Sequence, residues 1–308
     1  MRIWPSRAFI KLIYPKFYVL GFHKGGERVK KTAIASVVFL LIMSFTSFTS
    51  CEENCDIHLI SRESGSGTRE AFIQLTGVKQ NGCDNTALNS EVTSSNLVVI
   101  KSVADDKNAI GYTSLGTLNG NVKPIAIDGV KPEAANVADG TYPLVRKFDI
   151  VFSEPLEKTA ADFKNFIMSE KGQRVIEEKG YIPIDNKSTA PLDYKISKHR
   201  SEKIAIAGST SVAPLMEVLA ESYMELNPSV RIEIQQSGSS AGITSVAEGI
   251  CHMGMSSRPL TNEETEKGLS AVTIAADGIV VIVNPKNHIK ELSLEDIRGI
   301  FTGKITKW

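Results

Sequence analysis

Three short stretches of this chain combine glycine with hydroxyl side chains where an apolar run gives way to a helical pattern. They are Ser64-Gly65-Ser66-Gly67-Thr68, which follows Arg62 and Glu63, then Gly208-Ser209-Thr210-Ser211, and Gly238-Ser239-Ser240-Ala241-Gly242. Glycine lets the backbone curl so that several N–H groups point at one spot, and serine and threonine add O–H donors beside the positive end of a helix dipole. A concavity of that kind takes an anion. Each bend taken singly is also an ordinary turn with a helix cap; capping does not explain the repetition. None of the three helix starts has an acid in its first turn except Glu70, which stands beside Arg69. A cation there opposes the dipole unless something negative offsets it. Arg62, with Arg258 as a second candidate, supplies the planar fork that matches a tetrahedral oxyanion.

A different chemistry is also written here. Gly238-Ser239-Ser240-Ala241-Gly242 fits the G-x-S-x-G elbow of serine hydrolases, and Ser240, Asp277 and His288 follow in the order such enzymes use. An elbow would account for one bend and leave two without a purpose.

The elements that must position these bends read as strands alternating with helices. Ile57 to Ile60 is a strand before the first bend, and a helix starts at Ala71 to Leu75. Asn96 to Ser102 reads as a short buried strand or a helix edge, Asn108 to Tyr112 and Lys123 to Asp128 as strands, and Tyr142 to Phe152 as an alternating strand. Thr159 to Lys179 has helical spacing up to Gly180, and Asp185 to Lys203 is polar, contains Pro191 and reads as a linker. Beyond it come strand Ile204 to Ala207, helix Val212 to Leu226, strand Val230 to Gln235, helix Ile243 to Gly249, strand His252 to Met255, the apolar run Ala271 to Val283 broken by Asp277-Gly278, and helix Ser293 to Phe301. Such alternation with short loops indicates an α/β protein built on parallel sheet.

The formal charge of zero hides an asymmetry. Residues 1 to 50 hold eight Lys/Arg and one acid, which leaves 27 basic and 34 acidic side chains, net −7, from Cys51 onward. An acidic body is a poor nucleic-acid binder, so any anion must be held by local groups. Basic residues up to Lys31, the apolar run Thr32 to Met43 and a Ser/Thr/Phe stretch ending at Cys51 have the layout of an export signal, with an apolar core short for a membrane span. Phe48-Thr49-Ser50-Cys51 looks like a lipoprotein cleavage box with Phe in the usual place of Leu, so a lipid is expected on Cys51. The remaining cysteines, Cys55, Cys83 and Cys251, have no metal-ligand spacing. Cys55 and Cys83 either pair or stay separate thiols.

Together, Gly208 to Pro214, Gly238 to Gly242, Gly254-Met255-Ser256-Ser257-Arg258 and Arg62 to Thr68 resemble the ligand-binding segments of the phosphate-binding proteins of ABC transporters, the PstS family of the periplasmic binding-protein fold. Ala109 to Tyr112, Tyr142-Pro143-Leu144 and Phe301 to Trp308 are similar to it as well. The resemblance implies a non-enzymatic, exported receptor of the periplasm or cell surface. It would be a monomer without cofactor or metal that holds inorganic phosphate between two α/β lobes and delivers it to the permease subunits. Molybdate, tungstate and sulfate are alternative guests of the same geometry. It assigns ligand contacts to Arg62, Ser66, Gly67, Thr68, Ser209, Thr210, Ser211, Ser239 and Ser257, with hinges near Asp277-Gly278 and Asp139-Gly140-Thr141. Two departures stand out. Ser257 occupies a place where some members carry an aspartate, and the two halves of the chain are in exchanged order. A circular permutant accounts for the order, as does a gene-model error or a slice of a tandem array. On the first account residues 56–140 and 283–308 form lobe two, 141–185 and 204–282 form lobe one, and 186–203 joins the usual ends.

Overall fold

Eight strands carry the architecture: β1 (His58–Arg62), β2 (Glu91–Thr93), β3 (Ala109–Ser114), β4 (Val145–Ser153), β5 (Glu202–Gly208), β6 (Val230–Gln236), β7 (Met253–Ser256) and β8 (Leu269–Val283). The computed structural model describes residues 55–184, 194–196 and 202–308, all within one compact unit, Glu53–Trp308. Cys51, the export segment and most of the expected linker lie outside the described residues. The strands run in the order β6-β5-β7-β4-β8-β3-β1-β2. β6, β5 and β7 are mutually parallel, as are β3, β1 and β2, and β4 and β8 run antiparallel between the two sets.

Each parallel set has its own core. Phe148, Ile150, Phe163, Phe166, Ile206, Leu215, Tyr223 and Met253 pack in lobe one, around helices α3 (Lys158–Met168), α4 (Glu170–Glu178) and α5 (Ala213–Leu226). Ile57, Leu59, Phe72, Tyr112, Ile125, Val281 and Phe301 pack in lobe two, around α1 (Gly67–Leu75) and α7 (Leu294–Phe301). Phe72 and Tyr112 stack there with ring centroids 3.9 Å apart. Helices α2 (Asn96–Asp105) and α6 (Ser239–Ala247) cover the other faces. The result is an α/β fold with a mixed sheet flanked by helices, consistent with a periplasmic binding protein.

Several local expectations change. Asn96 to Ser102 is the start of helix α2, because Ser95 caps it by accepting from the Val98 amide. The long helix over 159–179 is two helices broken at Ser169, whose hydroxyl accepts from Gly172 N. A Cβ on Gly172 would lie 2.2 Å from Phe166 O, so only glycine allows that close approach. Helix α6 starts at Ser239 rather than Ile243, with Gly238 before it at φ +87°. The Asp277-Gly278 pair does not break β8, which continues from one core to the other.

The chain passes between lobes in β4 and β8. Leu144 belongs to the lobe-two core and Phe148 to the lobe-one core; likewise Ala275 belongs to lobe one and Ile279 to lobe two. Along these strands the two cores therefore meet near Arg146 and Asp277. The Asp139-Gly140-Thr141 turn closes on itself inside lobe two through Asp139 Oδ1 and the Thr141 amide, 2.9 Å apart. Arg146 and Asp277 face each other in register, and Asp277 Oδ2 accepts from Arg146 Nε at 3.1 Å, from its Nη2 at 2.9 Å and from Ser114 Oγ at 2.9 Å. Cys55, Cys83 and Cys251 are free thiols, so the Cys55–Cys83 pairing is not formed.

Candidate functional site

All the candidate segments lie at carboxyl ends of strands, where open α/β sheets hold their ligands. β1 ends at Arg62 and leads through Ser64-Gly65 into α1, whose N-cap is Ser66. β5 ends at Gly208 and leads into α5, β6 leads through Gly238 into α6, and β7 ends at Ser256 beside Ser257. Neither α5 nor α6 has an acid in its first turn.

The hydroxyls of both lobes meet in one buried cluster. Ser209 Oγ donates to Ser257 Oγ at 3.0 Å, and Ser257 N donates to Ser239 Oγ at 3.1 Å. Gly67 presses against this group from the other lobe; a Cβ on it would lie 2.4 Å from Ser239 Oγ and 2.5 Å from Ser257 Oγ. Thr68 Oγ1 and Ser211 Oγ are hydrogen-bonded at 2.8 Å, and Arg62 Nη2 donates to Thr210 Oγ1 at 3.3 Å. A backbone bond, Ser240 N to Gly65 O at 3.1 Å, also crosses between the lobes. Ser66 stands next to this cluster and accepts from Arg69 N as the cap of α1.

Arg62 is only 1% exposed, and a buried cation requires compensation. Glu63 supplies it through two bonds of 2.8 Å, to Nε and Nη2, while Nη1 donates to Asn96 Oδ1 at 2.6 Å. The strand end beneath it is fixed by Tyr112, whose phenol oxygen accepts from Arg62 N and bonds Ser61 Oγ. Burial raises the Tyr112 phenol, which stays protonated. With Arg62 balanced by Glu63, the cluster's positive potential comes from three helix N-termini and from inward-pointing N–H and O–H groups. That is an arrangement for holding a desolvated oxyanion by charge-assisted hydrogen bonds.

The family model of the PBP superfamily domain matches residues 50–171 and 195–308. The chain is 45% identical over 258 residues to "Phosphate-binding protein PstS 2" of Streptococcus agalactiae serotype V, covering 82% of this chain and 86% of the relative. It is 46% identical over 256 residues to the protein of that name in Streptococcus pneumoniae serotype 4, with the same coverage. The chain belongs to the PstS family. Among solved structures, the phosphate-binding protein of a phosphate ABC transporter from Streptococcus pneumoniae TIGR4 is 45% identical, with a TM-score of 0.65 over 82% of this chain and 98% of that one.

Eight of the nine expected residues of this PstS-family chain are joined by the contacts above, with Ser66 at their edge. Two other expectations are corrected. Arg258 does not reach the cluster: its guanidinium is held by Glu264 at 2.8 and 2.7 Å and by Ser240 Oγ at 3.0 Å. Arg69 is offset by a neighbour rather than by a bound anion, since Asp84 Oδ2 accepts from its Nε at 3.0 Å and its Nη2 at 2.8 Å. Burial alone would raise the Asp84 carboxyl, but Thr86 and Arg69 outweigh it and hold it below its ordinary value.

The elbow chemistry is not assembled. Ser240 Oγ accepts from Arg258, Asp277 is bonded to Arg146 and Ser114 at the lobe crossing, and no hydrogen bond joins Ser240, Asp277 and His288 among the described residues. The described residues also contain no group of three or more His, Cys, Asp or Glu placed to hold a metal. Two residues of the site escaped the sequence reading, Glu63 and Asn96. A Ser-Ser-Asn sequence just ahead of an apolar run was the available signal for the second, as a helix start.

Proposed function

We propose that this chain is an extracytoplasmic receptor that closes its two lobes on inorganic phosphate and hands it to the permease of an ABC transporter, with no chemical step of its own. The observation that carries this is the meeting of Thr68 with Ser211, of Arg62 with Thr210 and of Gly67 with Ser239 and Ser257, each pair drawn from opposite lobes. The ligand set is Arg62, Ser66, Gly67, Thr68, Ser209, Thr210, Ser211, Ser239 and Ser257. Relatives that share 45–46% of their residues with it carry the name phosphate-binding protein. A lipid on Cys51 would anchor the receptor to the membrane, and a single chain contains every group the site needs.

The exchanged order of the halves is a circular permutation. Support comes from the contacts that bring residues 55–57 and 306–308 together: Ile57 N donates to Thr306 O at 2.8 Å and Trp308 N to Cys55 O at 3.0 Å. Coverage of 86% of the streptococcal relatives supports it too, whereas the PstS protein of Bacillus subtilis matches over 112 residues only, 35% of this chain.

Calorimetric titration with phosphate, sulfate, molybdate and tungstate, beside an ester-hydrolysis assay, tests the function. Saturable binding of one phosphate per chain, tighter than that of the other three anions and without turnover, is expected. Preference for another oxyanion, or hydrolysis lost in Ser240→Ala, would overturn it.

A further inference from the structure

Asn96 touches both the cation and the opposite lobe. It is the first residue of α2, 1% exposed, and its carboxamide lies between Arg62 of its own lobe and Ser211 of the other, at 2.6 and 2.7 Å. The chemistry of its neighbours fixes its orientation. A guanidinium has donors and no acceptor, so the amide oxygen must face Arg62. The amide nitrogen then faces Ser211 and must donate, which makes Ser211 Oγ an acceptor from Asn96 and leaves the Ser211 proton for Thr68 or for whatever lies beside Thr68. Arg62, Asn96, Ser211 and Thr68 thus form a hydrogen-bonded relay of one polarity that begins on a buried charge and ends on hydroxyl protons in the cleft.

We propose that Asn96 is a positioning residue for oxyanion capture: it locks Arg62 in place, turns the Ser211 hydroxyl into a donor toward the guest, and forms its second bond only when the lobes are together. This rests on the phosphate reading above and adds to it a polarity. A site whose hydroxyl protons are aimed inward by Arg62 favours the hydrogen phosphate dianion over the monoanion, because three of its oxygens accept without carrying a proton, against two in the monoanion.

The test is a set of phosphate titrations on the wild type, Asn96→Ala, Asn96→Asp, Ser211→Ala and the Asn96→Ala/Ser211→Ala double variant, each with a urea unfolding curve. Asn96→Ala is expected to weaken binding about tenfold or more, the order of magnitude of a lost hydrogen bond to a charged group. In that background Ser211→Ala should cost only about two- to threefold, because partners in one network are not additive. Asn96→Asp should bind more weakly than Asn96→Ala, since an ionised carboxylate accepts from Ser211, draws its proton out of the cleft and repels the anion. Asn96→Ser replaces Asn96→Ala if that variant fails to fold. Wild-type affinity in Asn96→Ala, full additivity in the double variant, or Asn96→Asp binding as well as Asn96→Ala would each overturn the relay while leaving phosphate capture intact. A wild type that does not bind phosphate would instead reject the functional reading beneath it.

Discussion

Thr68 Oγ1 and Ser211 Oγ lie 2.8 Å apart in the cleft although 143 positions separate them in the chain. Each follows the carboxyl end of a parallel strand, β1 for Thr68 and β5 for Ser211, and the two strands belong to different lobes. A hydroxyl pair of this kind is a weak contact in itself, with a net value of about 1 kcal/mol. Its significance is positional, because it records where the two lobes meet.

Thr68→Val keeps the shape of the side chain and removes its donor. Phosphate affinity should fall more than about tenfold, because a desolvated anion oxygen loses a charge-assisted bond worth about 1.5–3 kcal/mol. Arg62→Ala should do at least as much, and it also leaves Glu63 without its partner. Calorimetric titration of both variants checks this; near-native affinity in either would remove that segment from the site.

Gly67→Ala tests closure. An added methyl would lie 2.4 Å from Ser239 Oγ and 2.5 Å from Ser257 Oγ, which is an overlap only while the lobes are together. Phosphate should no longer shrink the radius of gyration measured by small-angle scattering, and affinity should drop, while the ligand-free protein melts as the wild type does. Compaction equal to the wild type would show that Gly67 does not face lobe one.

Asp277→Asn leaves the Arg146 guanidinium without its counter-charge where both side chains are nearly solvent-free, 3% and 1% exposed. Breaking a buried pair from one side costs about 3–5 kcal/mol. Urea unfolding should report a loss of that size. A small loss would mean that water reaches the crossing strands in the native protein.

Glu264 gives the acid dependence a definite sign. Its two bonds from Arg258 are the main reason its carboxyl sits below the ordinary glutamate value. A folded value below the unfolded one means that the pair's stabilisation is present above about pH 4.5 and is lost as pH falls through the lower folded value. Glu264→Gln should flatten that part of the stability profile in thermal melts taken from pH 6 to pH 3. An unchanged slope would place the acid sensitivity elsewhere.

The bends and their place after strands were legible in the sequence, because one glycine and hydroxyl pattern recurs at three strand-to-helix junctions and capping does not explain the repetition. The individual ligand residues followed only from the family resemblance. The parts that were not legible depend on contacts between distant segments. Leu97-Val98-Val99-Ile100 is a continuous apolar run that fits a buried strand, and only the burial of Val99, Ile100 and Val103, with Leu97 and Val98 exposed, reveals a helix face. Asn96 was hidden for the same reason. Arg69 carries no mark in its own turn of the Asp84 that neutralises it from a neighbouring hairpin. Arg258 looked like a second fork for the anion until Glu264, six residues on, proved to hold it.

A crystal structure determined with phosphate present tests the central claim most directly. Tetrahedral density is expected in contact with Arg62, Thr68, Ser211, Ser239 and Ser257, with the hydroxyl pairs that now bond one another turned toward its oxygens. Density at a different surface, or the same hydroxyl pairs intact at saturating phosphate, would contradict it.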